Sequence, residues 1–423
     1  MKLSKDLKTI YIIAIIVSLL SILFIGVNET NDTKSYIDAW VNISNGKLDI
    51  FRTPLYPIYL GIMKAIGGTN YFGILSVIGQ YVIFMISIGV FYHICLRFIN
   101  SSNITFYIIL FYSIYPGVLH WCNNLQTETL AVSGMVFLLY CIMRLYNNFN
   151  ILWTIITTLQ LVLLLMLRPA FVYLLPVLAF SWIYLFFKRE KKHQAIGGFI
   201  SIIVATVVLL LYMTAFRQSY GVFATSNVST INRLYIARQY GLLNPSVIKD
   251  SSLRSDIEKN IIIHGECCEE EYRWKEVDYY IENYDTKILQ DALNSSALSH
   301  PITNISKVIG RVYQASYLST LSSYGDGYIG TITDIIGLRT NIVYIFLLLY
   351  GIFVIKWCIK NHQIPWFSFV YYMLGISNLI VVLIGAQAEW MRLLLPSIPI
   401  YLLLFAQLCT FINLKSMKQV QIK

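Results

Sequence analysis

The stretch NDTKSYIDAWVNISNGKLDIFRTPLYPIYL, Asn31–Leu60, follows the first apolar run of the chain, YIIAIIVSLLSILFIGV at residues 11–27, and how it is read decides the fold. At about 100° per residue, Thr33 to Ser44 places Tyr36, Ile37, Trp40, Val41 and Ile43 on one side, and Lys34, Ser35, Asp38 and Asn42 on the other. A helix of that pattern lies along a membrane surface with its aromatic rings at headgroup level. The continuation PLYPIYLGIMKAIGG, Pro54 to Gly68, reaches a Gly-Gly pair before the roughly 20 residues a span requires. It therefore reads as a second juxtamembrane or re-entrant helix. The chain leaves the membrane after one span, runs along the surface and returns.

Composition extends this reading to the whole chain. Of 423 residues, 57% are hydrophobic and 13% charged, with a mean hydropathy of +0.63, whereas soluble domains carry roughly 25% charged residues. An all-α polytopic membrane protein is expected. Spans of sufficient length fall at about 9–27, 71–96, 104–119, 129–146, 151–167, 170–187, 195–215, 340–358, 365–385 and 393–412. About ten spans put both termini on one side. Fourteen Lys and Arg residues then collect at one set of helix ends and short loops, against seven at the other. Basic residues in short loops stay cytoplasmic, so an N-in/C-in orientation is expected. This topology largely explains the net charge of +10 and argues against a nucleic-acid partner. The first apolar run is long for a signal sequence and lacks a small-x-small cleavage site, so it reads as a retained anchor. The expected organisation is an N-terminal membrane module at 1–216 with its first outer loop at 28–68, a soluble outer segment at 217–336, and C-terminal membrane helices at 337–423.

The outer segment holds fourteen of the twenty-two acids. Of the other eight, Asp6 and Glu190 map to the inner ends, while Glu29, Asp32, Asp38, Asp49, Glu128 and Glu389 map to the outer face. An ionisable group costs free energy near hydrocarbon, so acids gathered at one end of a bundle point to chemistry there. Arg52, Arg168 and Arg392 map to the same end. Guanidinium forks match phosphate oxygens and stay charged, so the set suggests a phosphate-bearing lipid substrate.

The order Asp32-x3-Tyr36-x2-Ala39, Gly46, Arg52-Thr53-Pro54-Leu55-Tyr56-Pro57, Gln126-Thr127-Glu128-Thr129-Leu130, Arg168-Pro169 and Arg392-x3-Pro396-x2-Pro399 resembles the GT-C glycosyltransferases. Within them it is most similar to the ArnT-like and protein O-mannosyltransferase-like group, glycosyltransferase family 39. The resemblance covers the first 170 residues and the last 40, with a weaker echo at Ser299–Gln314. It implies a GT-C fold and an inverting transfer of a monosaccharide from a polyprenyl-phosphate donor, of the undecaprenyl-phosphate type in a bacterium. The acceptor would be a glycan, lipid or protein in the cell envelope, met at the outer, periplasmic face of the inner (plasma) membrane. By the same resemblance Asp32 is the catalytic carboxylate, with Glu29 as the alternative base. Arg52 binds the donor phosphate with Arg168 and Arg392, while Tyr36, Tyr56 and Glu128 contact substrate. No cofactor is expected, although some GT-C enzymes use a divalent metal.

Plainer readings stand beside these. Asp32 precedes the amphipathic stretch and could serve only as its N-cap, unless Thr33 caps instead. Glu128 could simply complement a helix dipole. Arg168 and Arg392 could snorkel or pair, Arg392 with Glu389. Two other classes share the composition: an O-antigen polymerase or ligase, and a lipid-linked sugar flippase. The first would carry its key residues in late loops, and the second would place charges near the midplane.

Overall fold

The computed structural model describes residues 4–99, 101–187, 191–299, 301–315, 340–361, 366–386 and 390–420. Among these residues nine helices are long and apolar enough to cross a membrane, and a tenth, Ile151–Leu167, is apolar but shorter. The protein is an integral membrane protein, and each expected span has its helix. In chain order the N-terminal helices are α1 (Lys5–Ile25), α2 (Asn31–Ser44), α3 (Leu55–Phe98), α4 (Ser102–Ile114), α5 (Pro116–Asn123), α6 (Glu128–Asn147), α7 (Ile151–Leu167), α8 (Leu174–Phe186) and α9 (Lys192–Tyr220). Then come α10 (Val228–Gln239), α11 (Ser251–His264), α12 (Glu270–Asn283), α13 (Thr286–Ser299), α14 (Pro301–Ala315), α15 (Thr340–Asn361), α16 (Trp366–Gly385), α17 (Trp390–Leu394) and α18 (Ile398–Val420).

The bundle is arranged around α6. Its apolar stretch is 72% buried, against 17% for the peripheral α1, because α3, α7, α9 and the turn before α18 all pack on it. A helix apolar on every side belongs in such a position. Its first residue, Glu128, therefore enters the protein interior at one end of the bundle.

α3 is a hairpin rather than one long span. Gly68 interrupts it at φ +62°, ψ −169°, a left-handed backbone that a side chain would strain. Residues 55–67 fold back on the rest of the helix, where Tyr59 donates to the Ser76 carbonyl and Tyr56 to Gln80 Oε1. The expected span at 104–119 is broken as well. Pro116 forces Tyr115 into an extended conformation (φ −62°, ψ 117°), and α5 carries the chain on to Asn123.

Helices α10 to α13 build a separate apolar cluster from Leu234, Ile257, Val277, Tyr280, Leu289 and Leu293. A buried ion pair, Arg238 Nε to Glu276 Oε2 at 2.5 Å, pins it. Its root grips the first loop: the Asn227 amide donates to the Ile50 carbonyl at 2.7 Å, and Tyr220 donates to the Leu48 carbonyl.

Candidate active site

Two loops at one end of the bundle are joined by backbone. The Asn28 amide donates to the Asn123 carbonyl at 2.9 Å, and the Leu125 amide to the Asn28 carbonyl at 3.1 Å. This short parallel bridge brings the start of α2 beside the start of α6, and with them Asp32 beside Glu128. Buried Gln80 fastens the junction from below, donating to the carbonyls of Cys122 at 2.8 Å and Asn124 at 2.9 Å.

Asp32 is not the cap of α2. That position is Thr30, whose amide donates to Thr33 Oγ1 at 2.9 Å. The Asp32 carboxylate is therefore free to face arginines. Oδ1 accepts from Arg52 Nη2 at 2.6 Å, while Oδ2 lies 3.5 Å from both Arg392 Nη2 and Gln126 Nε2. The side chain stays 38% exposed. Burial raises its pKa, but Arg52 and then Arg392 outweigh burial and hold the carboxyl below its usual range.

Arg52 is aimed by its own loop. Asp49 Oδ1 accepts the amides of Phe51 at 2.9 Å and Arg52 at 2.8 Å, and Asn42 donates to Oδ2 at 2.9 Å. This Asx turn makes buried Asp49 structural. Thr53 Oγ1 donates to the Leu167 carbonyl at 3.0 Å, fixing the loop to the end of α7. The guanidinium then reaches Ser35 Oγ at 2.7 Å and Tyr36 Oη at 3.3 Å, and lies 4.3 Å from the centre of the Tyr36 ring.

Arg168 stands at the other side of the same junction. Pro169 bars it from the helix, so it takes an extended conformation (φ −147°, ψ 132°) and turns inward. Its Nε donates to Thr127 Oγ1 at 2.6 Å and its Nη2 to Glu128 Oε1. Arg392 Nε donates to the same oxygen at 2.5 Å, and its guanidinium lies 4.8 Å from the centre of the Trp121 ring. Glu128 is fully buried, and its Oε2 has no partner among the described residues.

The structure thus gathers Asp32, Glu128, Arg52, Arg168 and Arg392 into one continuous chain of ion pairs with a net charge of +1. Tyr36 is buried under Arg52. Tyr56 stands one layer further back, fully buried and edge-on to Tyr36 at 4.9 Å. Glu29 is exposed and makes no ion pair among the described residues. Glu389, the expected partner of Arg392, lies outside the described residues. Gln126, from the Gln126–Leu130 motif, completes the surroundings with Ser35, Gln80 and Trp121, and nothing in the sequence had set those three apart as a group.

An apolar groove of about 270 Å³ opens beside the charges, between α3, α6 and α7. Leu55, Leu130 and Leu167 line its near end, close in sequence to Arg52, Glu128 and Arg168. Gln160 lies at its far end, seven residues or roughly 10 Å along α7 from Leu167.

A helical membrane bundle of this order, with its first two loops joined over a buried charge, has the GT-C fold. No family model and no curated protein matches the chain. Among solved structures it is similar to the oligosaccharyltransferase AglB of Archaeoglobus fulgidus, solved with an inhibitory peptide and a dolichol-phosphate. The TM-score is 0.55 at 13% identity, covering 98% of this chain and 51% of that one. The same enzyme tethered to an acceptor peptide containing an NVT sequon gives 0.53 at 12% identity over 94% and 49%. Its complex with Zn and sulfate gives 0.53 at 13% identity over 96% and 49%. This chain spans about half the length of that enzyme.

Proposed function

We propose that the protein is an inverting glycosyltransferase that moves a monosaccharide from a polyprenyl-phosphate donor to a hydroxyl acceptor at the outer face of a membrane. The observation that carries this reading is a cluster of three guanidiniums at the end of helices whose adjoining turns, at Leu55, Leu130 and Leu167, line an apolar groove. A polyprenyl phosphate has that shape and charge, an anionic head on an isoprenoid chain. The AglB structure bound to a dolichol-phosphate supports the same ligand chemistry on the same fold.

In the reaction, the acceptor oxygen attacks C1 of the sugar as the bond from C1 to the phosphate oxygen breaks, inverting C1. The bonding electrons leave with the phosphate, and the acceptor proton passes to the Asp32 carboxylate. Donor binding sets up this step. The phosphate competes with Asp32 for Arg52 and Arg392, and the charge that grows on it meets guanidiniums already in position. As those arginines turn to phosphate, Asp32 loses its counter-charges and becomes a better base. Glu128 keeps Arg168 and Arg392 oriented from beneath. The cluster suits an anion better than a divalent cation, because three arginines surround its two acids. The reading therefore includes no metal. It also places the site at the periplasmic face of a bacterial inner membrane, in an ArnT-like, family 39 setting. The basic residues at the opposite helix ends support that orientation.

Transfer of a whole oligosaccharide to a peptide is the second reading, favoured by the match to AglB. The deciding assay supplies purified protein with a radiolabelled polyprenyl-phosphate monosaccharide and, in parallel, a lipid-linked oligosaccharide with a peptide. Monosaccharide transfer by the wild type, reduced at least about 100-fold in Asp32→Asn, is expected. Unchanged transfer by that variant would remove Asp32 from the chemistry.

A further inference from the structure

At the far end of the same helices a second polar cavity of about 340 Å³ is lined by Arg97, Arg144, Asn147, Asn148, Asn150 and Trp153. α6 runs from Glu128 to Asn147, and α7 returns from Ile151 to Leu167. They cover about 30 and 25 Å at 1.5 Å per residue, close to the thickness of the hydrocarbon core. The cavity therefore lies at the membrane surface opposite the charged site.

Among the described residues its lining has one sign of charge: neither Arg97 nor Arg144 is within ion-pair distance of a carboxylate, and no acid lines the cavity. Arg144 is pre-positioned, with its guanidinium 4.8 Å from the Trp153 ring centre and 5.9 Å from that of Tyr140. Three asparagine amides add hydrogen-bond donors. Just past Asn150 the surface of α7 turns apolar, with Ile151, Leu152 and Ile155 exposed on the outside of the bundle. A tryptophan between an amide-rich pocket and an apolar flank marks a membrane interface.

We infer that this cavity binds the phosphate headgroup of an anionic phospholipid in the leaflet opposite the charged site. Basic pockets between membrane helices take such headgroups, and the apolar flank of α7 receives the acyl chains. The lipid clamps the ends of α3, α6 and α7, whose other portions line the groove.

The test uses the full-length protein purified in detergent. Binding of phosphatidylglycerol and of phosphatidylcholine is compared by native mass spectrometry for the wild type, R97Q/R144Q and the single R144Q variant, with inorganic phosphate as a separate competitor. The wild type should prefer phosphatidylglycerol by roughly tenfold or more; R144Q should lose part of that preference and R97Q/R144Q nearly all of it. Should the double variant not purify, R144Q decides alone. An undiminished preference in R144Q, or no preference in the wild type, overturns the proposal. Displacement of the lipid by millimolar inorganic phosphate would assign the cavity to a soluble anion and overturn the lipid assignment.

Discussion

At the scale of single residues, the charged cluster of the candidate site was legible where ionisable groups stand in an apolar chain. Asp32, Glu128, Arg52, Arg168 and Arg392 stood out because charge near hydrocarbon is costly and therefore rare. Gln80 was not legible. A neutral amide within SVIGQYVIF carries little signal in sequence, yet it is fully buried and bonded to three groups. The cap of α2 reads from sequence as Asp32 or Thr33, and it is neither: the extended backbone at Thr30 makes that residue the cap, with Thr33 turned back to its amide. Two predictions belong here. Because its neighbours lower the Asp32 pKa, the carboxylate is charged at every pH above the ordinary value of about 3.9. Its contribution is lost only as pH falls through the lower, folded value. The kcat/KM profile, which reports the free enzyme, should therefore show no acid limb from Asp32 between about pH 5 and 7. A limb there that disappears in Asp32→Asn would contradict this placement. Glu128→Gln leaves two largely covered arginines without the buried counter-charge they share and should cost about 3–5 kcal/mol. Thermal unfolding of the purified variant checks this, and an unchanged midpoint would mean that the buried triad contributes little.

At the scale of elements, the spans were legible from length and hydropathy, while their ends were not. A proline reset the boundary at Tyr115, and α9 runs on to Tyr220, five residues beyond the expected span, to hold the first loop. The re-entrant reading of residues 54–68 rested on Gly67 and Gly68, and Gly68 supplies the left-handed turn of the hairpin. The groove had no sequence signature, since its lining leucines and isoleucines are those of any membrane helix. It forms where α3, α6 and α7 meet. Leu163 lines it and is only partly buried, so Leu163→Trp fills space without displacing a tightly packed side chain. This variant should raise KM for a long-chain polyprenyl donor by about tenfold and leave that for a short-chain, water-soluble donor unchanged. Equal effects on both donors would separate the groove from the isoprenoid chain.

At the scale of the molecule, the bundle has two chemically distinct ends. One carries the ion-pair chain, the first loop and the root of the α10 to α13 cluster; the other carries Arg97, Arg144 and the N-termini of α1 and α9. The proposed orientation, which rests on the distribution of basic residues, turns the second end toward the cytoplasm, and one native thiol makes it measurable. Cys267 is exposed between α11 and α12, Cys95, Cys122, Cys141 and Cys268 are buried, and Cys358 and Cys409 lie partly buried in spanning helices. A membrane-impermeant maleimide should therefore label intact cells or spheroplasts at Cys267, and Cys267→Ser should abolish that labelling. If Cys267 reacts only after the membrane is opened, the orientation is reversed and the reaction centre faces the cytoplasm. The donor would then have to present its sugar on that side, because the charges that would receive its phosphate share an end with Cys267.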